Sequence, residues 1–208
     1  ITAGVSKDGS ALFPIMPYGK YGQLADEDIY AIIAYLRTLK PVENEVPERK
    51  LDFPLNLIVN TMPATQEKLP APKPKGDKVI YGEYLTTAAA CADCHTQQEK
   101  GQYIEDMAFA GGFQFPMPNG YISTSANITP HKETGIGNWT QRQFIQAFKQ
   151  HANRALCDNR VADGEFNSMM PWAYYSNLKE EDLAAIFAYL KSLEPKENKI
   201  VQGASVKS

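Results

Sequence analysis

Three cysteines occur in 208 residues, and two of them sit in the pentapeptide Cys91-Ala92-Asp93-Cys94-His95. Cysteines three positions apart on one helical turn present both thiols to the same side. A histidine directly after them lies beside whatever the thiols hold. That is the spacing of c-type haem attachment, with two thioethers to the vinyl groups and an imidazole beneath the iron. Two blander readings compete. A thioredoxin-like redox pair needs no following histidine and belongs in a βαβ pattern, which the flanking residues lack. Half a zinc site needs a second cysteine pair to complete it, and the sequence has none. Cys157, between Leu156 and Asp158 with no second motif around it, reads as a free thiol or a small buried residue.

A haem iron held from one side by His95 has a further axial position, and methionine there favours electron transfer at a raised potential. Met107, Met117, Met169 and Met170 are the candidates. Methionine is more often core filler than ligand, so a discriminator is needed, and an internal repeat supplies one. Met16-Pro17-Tyr18 through Pro41-Val42-Glu43-Asn44 reappears as Met170-Pro171-Trp172 through Pro195-Lys196-Glu197-Asn198. Met170 aligns with Met16, each followed by proline and an aromatic residue, whereas Met169 aligns with Ile15, which cannot ligate. Pro171 also favours an extended Met170. Met170 is therefore the expected ligand and Met169 its main rival. Met117 precedes Pro118 but lacks the downstream aromatic and helix. His131, in a polar loop beside Lys132 and Glu133, and His151, at the end of a helical pattern, are read as solvated rather than as iron ligands.

The elements that must position these residues are helices. Ile29, Ile32, Ile33, Leu36 and Leu39 in the first copy, and Leu183, Ile186, Phe187, Leu190 and Leu193 in the second, form one helical face each. Acidic residues open both helices (Asp26 to Asp28; Glu180 to Asp182), where the positive dipole end favours them, and Pro41 and Pro195 stop them. Lys78 to Ala90 reads as a helix delivering Cys91, and Trp139 to His151 as another, with Phe144, Ile145 and Phe148 apolar. Gly82 on the first of these offers a place for close approach that Tyr189 or Phe187 could fill. Gly111 to Gly137, rich in Gly, Pro, Ser and Asn, reads as a long ordered loop. Ser123, Thr124, Ser125, Trp139 and Trp172 are candidates to hydrogen-bond haem propionates.

The two copies differ in what precedes them. A helix and a loop cannot bury a core, since units below ~40 residues rarely fold unaided. Residues 1 to about 47 are therefore expected to be the back half of a domain whose front half is absent from this sequence. The expected organisation is residues 1–59 as that partial domain, a proline-rich tether over 60–75, and a complete domain over 76–208. The apolar run Leu51 to Val59 is expected to pack along a domain or a partner.

Charge and hydropathy narrow the functional classes. A formal charge of −3 without a long basic tract argues against nucleic acid. No apolar run approaches the ~18–20 residues that cross a bilayer, so any membrane association would come through a partner.

Three segments in order carry a family resemblance: Gly82-Glu83-Tyr84-Leu85 leading to Cys91-Ala92-Asp93-Cys94-His95-Thr96, then Ala126-Asn127-Ile128-Thr129-Pro130 with Glu133-Thr134-Gly135-Ile136-Gly137, then Met170-Pro171-Trp172 with Asp182 to Leu193. Over most of residues 76–200 the chain resembles class I c-type cytochromes, in particular the two-haem cytochromes that serve periplasmic dehydrogenases. The resemblance implies an all-α fold around each covalent haem c, with Cys91 and Cys94 as attachment points and His95 and Met170 as axial ligands. Met16 then looks like a ligand to the iron of a second haem carried by residues outside this sequence. If no such residues exist, Met16 is merely buried. Two departures stand out: the first copy has no Cys-x-x-Cys-His, and Ala25 and Lys179 occupy positions where the family places a Ser or Thr helix cap.

The expected function is electron transfer rather than catalysis, because no acid–base pair, triad or phosphate loop is recognisable. The resemblance implies a periplasmic location, or the outer face of the bacterial cytoplasmic membrane. It also implies redox protein partners, with an alcohol, aldehyde or sugar dehydrogenase as donor and a respiratory acceptor. The alternative is a haem enzyme, a peroxidase or sulfur-compound oxidase, with a displaceable axial ligand. A gas or redox sensor would need an output domain that is not visible.

Overall fold

The structure is a computed structural model, and it describes residues 2–69, 76–99, 101–152 and 162–201. Two compact units divide the chain, Ile1–Ala71 and Pro72–Ser208.

In the first unit, α1 (Tyr18–Tyr21) follows directly on Met16-Pro17, and α2 (Asp26–Thr38) follows α1. A short helix α3 (Leu55–Ile58) and a 3-10 turn (Val59–Thr61) come after an extended stretch over residues 41–52. The core is small: Tyr18, Leu24, Ile29 and Val59 are buried. Of the run Leu51 to Val59, only Val59 is buried, while Phe53, Leu57 and Ile58 are exposed. Residues expected as tether are partly tied down, since Leu69 N–H donates to the Gln23 carbonyl and Lys68 Nζ reaches both the Leu24 carbonyl and Asp26.

The apolar face of α2 is not covered. Ile32 is 45% exposed, Leu36 50% and Leu39 50%, and Ile29 alone of that stripe is buried.

The second unit holds α4 (Lys78–Ala88), α5 (Cys91–His95), α6 (Gln141–Lys149), α7 (Trp172–Tyr175) and α8 (Glu180–Ser192). Here the equivalent stripe is sealed: Leu183, Ile186, Phe187 and Leu190 are all buried, in one core with Ile136, Phe144 and Phe148. Asp77 caps α4 by accepting from the Val79 and Ile80 amides. Thr140 and Gln143 form a capping box at α6, which fixes where that helix starts. Neither Ala25 nor Lys179 supplies a side-chain cap bond, so α2 and α8 open on their acidic first turns instead.

The contact that joins the ends of this unit is α4 against α8. A Cβ at Gly82 would overlap the Ala185 carbonyl and lie 2.8 Å from Tyr189 Cβ, so the backbones touch where only glycine fits. Of the two aromatics considered for this crossing, Tyr189 is the one at Gly82. Phe187 instead packs on Phe144, ring centroids 5.2 Å apart.

The expectation of an all-α domain is too narrow. Two antiparallel hairpins are present, β1 (Gln98–Glu99) with β2 (Gln102–Tyr103) and β3 (Gln114–Pro116) with β4 (Ile122–Thr124). The second lies inside the stretch read as loop. Its chain reverses at Gly120, which takes φ +78°, and Met117 N–H closes the turn on the Tyr121 carbonyl. Strands this short carry too little alternation to register as periodicity.

Substituting Gly82→Ala is expected to cost about 1–3 kcal/mol of stability despite alanine's better helix propensity, because the added methyl meets backbone that cannot yield. Chemical denaturation of the variant beside the parent protein measures it.

Candidate functional site

Ala90 takes φ 52° and ψ 36°, a left-handed conformation unusual for alanine, and so breaks the chain direction between α4 and α5. The single turn of α5 then presents both Cys91 and Cys94, with His95, to one apolar cavity of about 410 Å³. Protein interiors are otherwise close-packed. A void this large, lined by Phe148, Trp172, Ile186 and Leu190 among others, falls in the ~300–1,000 Å³ range of pockets that hold cofactor-sized molecules.

His95 is fixed at one nitrogen. Its Nδ1 lies 2.7 Å from the Ala126 carbonyl. A carbonyl oxygen can only accept, so Nδ1 carries the proton and Nε2 keeps its lone pair for a metal. Burial lowers the His95 pKa, which further favours the neutral ring. The backbone is held as well, with Gly111 N–H donating to the His95 carbonyl at 2.7 Å.

Neither thiol has the lowered pKa that marks a dithiol redox pair. Burial pushes the Cys91 thiol up to about 12, and Cys94 is raised by burial and by the neighbouring Asp93 carboxylate. A reactive cysteine pair needs the opposite shift. Zinc fares no better: among the described residues no three His, Cys, Asp or Glu side chains gather to hold a metal.

Met170 and Met169 both line the same cavity. Met170 is partly buried and Met169 is 54% exposed. Met170 is also the one locked into a turn, its amide donating to Ser168 Oγ at 3.2 Å and its carbonyl accepting from the Trp172 amide at 2.8 Å. The turn is repeated in the first unit. Tyr18 N–H donates to the Met16 carbonyl at 2.7 Å, and Pro17 (φ −77°, ψ 51°) matches Pro171 (φ −79°, ψ 58°). Gly9 (φ 88°) and Gly164 (φ 74°) likewise close corresponding Asp-Gly turns upstream of the two methionines.

The remaining candidates fall elsewhere. His131 Nδ1 is engaged by Thr134, and the His151 ring stacks on Trp172 at 5.1 Å; neither lines the cavity. Met107 and Met117 do not line it either, and Cys157 lies outside the described residues. Ser123, Thr124, Ser125 and Trp139 do line it, although Ser125 Oγ already accepts from the Phe113 amide. Sequence reasoning missed Ala126, because a backbone acceptor leaves no side-chain signature.

An apolar slot with two thiols and a tautomer-locked imidazole on one wall, and a thioether reaching in from another loop, is the donor set and shape that a covalent iron porphyrin requires. These features define a c-type haem-binding domain. The Cytochrome c family model matches residues 79–194, and the chain belongs to that family, whose members hold haem c covalently and pass electrons through it. The chain is 29% identical over 207 residues to the cytochrome c subunit of a quinone alcohol dehydrogenase from Gluconacetobacter polyoxogenes, covering 92% of this chain and 42% of that protein. It is 40% identical over 113 residues to the fructose dehydrogenase cytochrome subunit of Gluconobacter japonicus, covering 54% of this chain and 20% of that protein. A diheme cytochrome c-type protein of Cereibacter sphaeroides is 30% identical over 200 residues, covering 90% of this chain and 61% of that protein. The chain thus spans less than half the length of the alcohol dehydrogenase subunit it matches.

Replacing Cys91 and Cys94 together by alanine is expected to abolish haem that survives denaturation, while either single replacement leaves one thioether and a weaker signal. A haem-stained denaturing gel reads the difference.

Proposed function

We propose that this chain is an electron-relay subunit, passing electrons from a dehydrogenase to a respiratory acceptor through haem c on the outer side of the bacterial cytoplasmic membrane. One observation carries the reading. His95, its Nδ1 held by the Ala126 carbonyl so that Nε2 is left to ligate, and Met170 line a single apolar cavity, so an iron held there would find two protein donors. When bound, the haem supplies one-electron chemistry between ferric and ferrous iron.

The residues' parts follow. Cys91 and Cys94 would tether the group, and His95, oriented by the Ala126 carbonyl, would supply one donor to the iron. Met170, held by the Pro171 turn, would supply a second from another loop. Ile186, Leu190 and Phe148 exclude water, which favours the less charged ferrous centre. The names of the relatives support an alcohol-, fructose- or similar dehydrogenase as the donor. No helix among the described residues is long and apolar enough to cross a membrane, which fits attachment through such a partner.

Met16 is proposed to ligate the iron of a second haem whose attachment residues lie outside this sequence. Its turn copies that of Met170, the face of α2 corresponding to the haem-side face of α8 stands uncovered, and a diheme relative matches across 90% of this chain.

Met170→Ala is expected to abolish the far-red methionine–iron absorption band and lower the midpoint potential, whereas Met169→Ala changes neither. Absorption spectra and redox titration of the two variants decide the assignment. A ferric protein that is high-spin and binds cyanide or peroxide rapidly would instead indicate a haem enzyme with an open axial position.

A further inference from the structure

We propose that Asn127 is a positioning residue for the haem-ligating histidine: by tying residues 196–198 to the loop behind Ala126, it holds the Ala126 carbonyl on His95 Nδ1 and keeps the reduction potential lower than it would otherwise be. The inference rests on His95 being the iron ligand, as proposed above.

Ala126 is gripped from two directions. Beneath it runs Gly111 (φ +75°), where a Cβ would come within 2.5 Å of the Ala126 carbonyl carbon, so the two backbones are in direct contact. Behind it stands Asn127, 4% exposed and fully satisfied. Its Oδ1 accepts from the Thr129 amide at 2.9 Å and the Thr129 hydroxyl at 2.7 Å, closing a side-chain turn immediately after Ala126. Its Nδ2 donates to the Lys196 carbonyl at 2.7 Å and to Thr134 Oγ1 at 3.1 Å.

These bonds continue back to the histidine. Asn198 N–H donates to Thr134 Oγ1 at 3.1 Å, and Asn198 Nδ2 donates to the Ala110 carbonyl at 3.0 Å. The next residue, Gly111, donates its amide to the His95 carbonyl at 2.7 Å. A closed circuit thus leaves the His95 ring through Ala126, passes through Asn127, Thr134 and Asn198, and returns to the His95 backbone through Ala110 and Gly111. Buried networks with every member satisfied are rigid, and one deletion loosens the whole.

The sign of the effect follows from the chemistry of the bond. An acceptor on Nδ1–H pushes electron density toward Nε2 and makes the imidazole a stronger donor, which favours ferric iron. Loosening the Ala126 contact therefore raises the potential. Water entry is the competing consequence of any loosened loop, and it favours ferric iron and lowers the potential. The direction separates positioning from mere disruption.

The test compares Asn127→Ala and Thr134→Val with Thr140→Ala in the full haem-loaded chain. Thr140→Ala removes the α6 capping box and serves as a stability control on another element. Midpoint potential, the NMR shift of the His95 Nδ1 proton in the ferrous form and thermal midpoint are read for each. Asn127→Ala is expected to raise the ferrous-to-ferric ratio at fixed ambient potential about threefold or more, roughly 30 mV at 59 mV per tenfold. It also moves the Nδ1 proton upfield toward a weaker hydrogen bond. Thr134→Val shifts both in the same direction by less, and Thr140→Ala lowers the thermal midpoint alone. If Asn127→Ala yields no haem-loaded protein, Thr134→Val decides by the same readouts. An unchanged or lowered potential with an unmoved Nδ1 proton overturns the inference while His95 ligation stands. A parent protein without a histidine-ligated iron overturns the ligand assignment itself.

Discussion

One hydrogen bond governs what the site can do, that of His95 Nδ1–H to the Ala126 carbonyl. An imidazole can leave either ring nitrogen free for a metal, and which one is set by the partner of the other. The carbonyl settles the matter because it has nothing to donate. Everything nearby keeps these two groups in register. The left-handed Ala90 sets the angle of the Cys91–His95 turn, the Gly111 amide holds the His95 carbonyl, and Gly111 leaves room for Ala126 to approach. The Gly82 crossing of α4 on α8 keeps the wall of Ile186 and Leu190 opposite that turn, so an apolar void persists where side chains would otherwise collapse.

The first unit carries the same methionine turn and the same amphipathic helix without the rest. Its Met16-Pro17-Tyr18 geometry copies Met170-Pro171-Trp172, yet the stripe buried on α8 is open on α2. Within the second unit, Phe144 and Phe148 of α6 and the loop residue Ile136 cover that face of α8. Sequence alone encodes the helix in both copies; burial depends on what packs against it.

Much of the site was legible before the structure. Cys-x-x-Cys-His announces itself by spacing, and the repeat singled out Met170 over Met169, both of which line the cavity. Helices were legible over 78–90 and 139–151 and, from the apolar stripe, acidic first turn and Pro195, in the second repeat copy; the structure forms them over 78–88, 141–149 and 180–192. Other features left weaker traces. The β3–β4 hairpin was hidden because three-residue strands with Gly and Pro around them look like loop. The Gly82 crossing was legible as a glycine, but which aromatic met it was not, since Phe187 and Tyr189 lie two positions apart on one helix. Ala126 was invisible in principle, for its contribution is a carbonyl. The roles of Asn127 and Thr134 depend on residues 196 and 198, nearly seventy positions away, and only folding brings them together.

Covalent attachment of an iron porphyrin to the two thiols is the claim beneath all of this, and peptide mass mapping addresses it without reference to spectrum or activity. After trypsin cleavage at Lys78 and Lys100, the peptide containing Cys91 and Cys94 is expected to carry one haem and to offer no thiol to an alkylating reagent. The same peptide recovered from matured protein without added mass, and alkylated at both cysteines, would contradict the account.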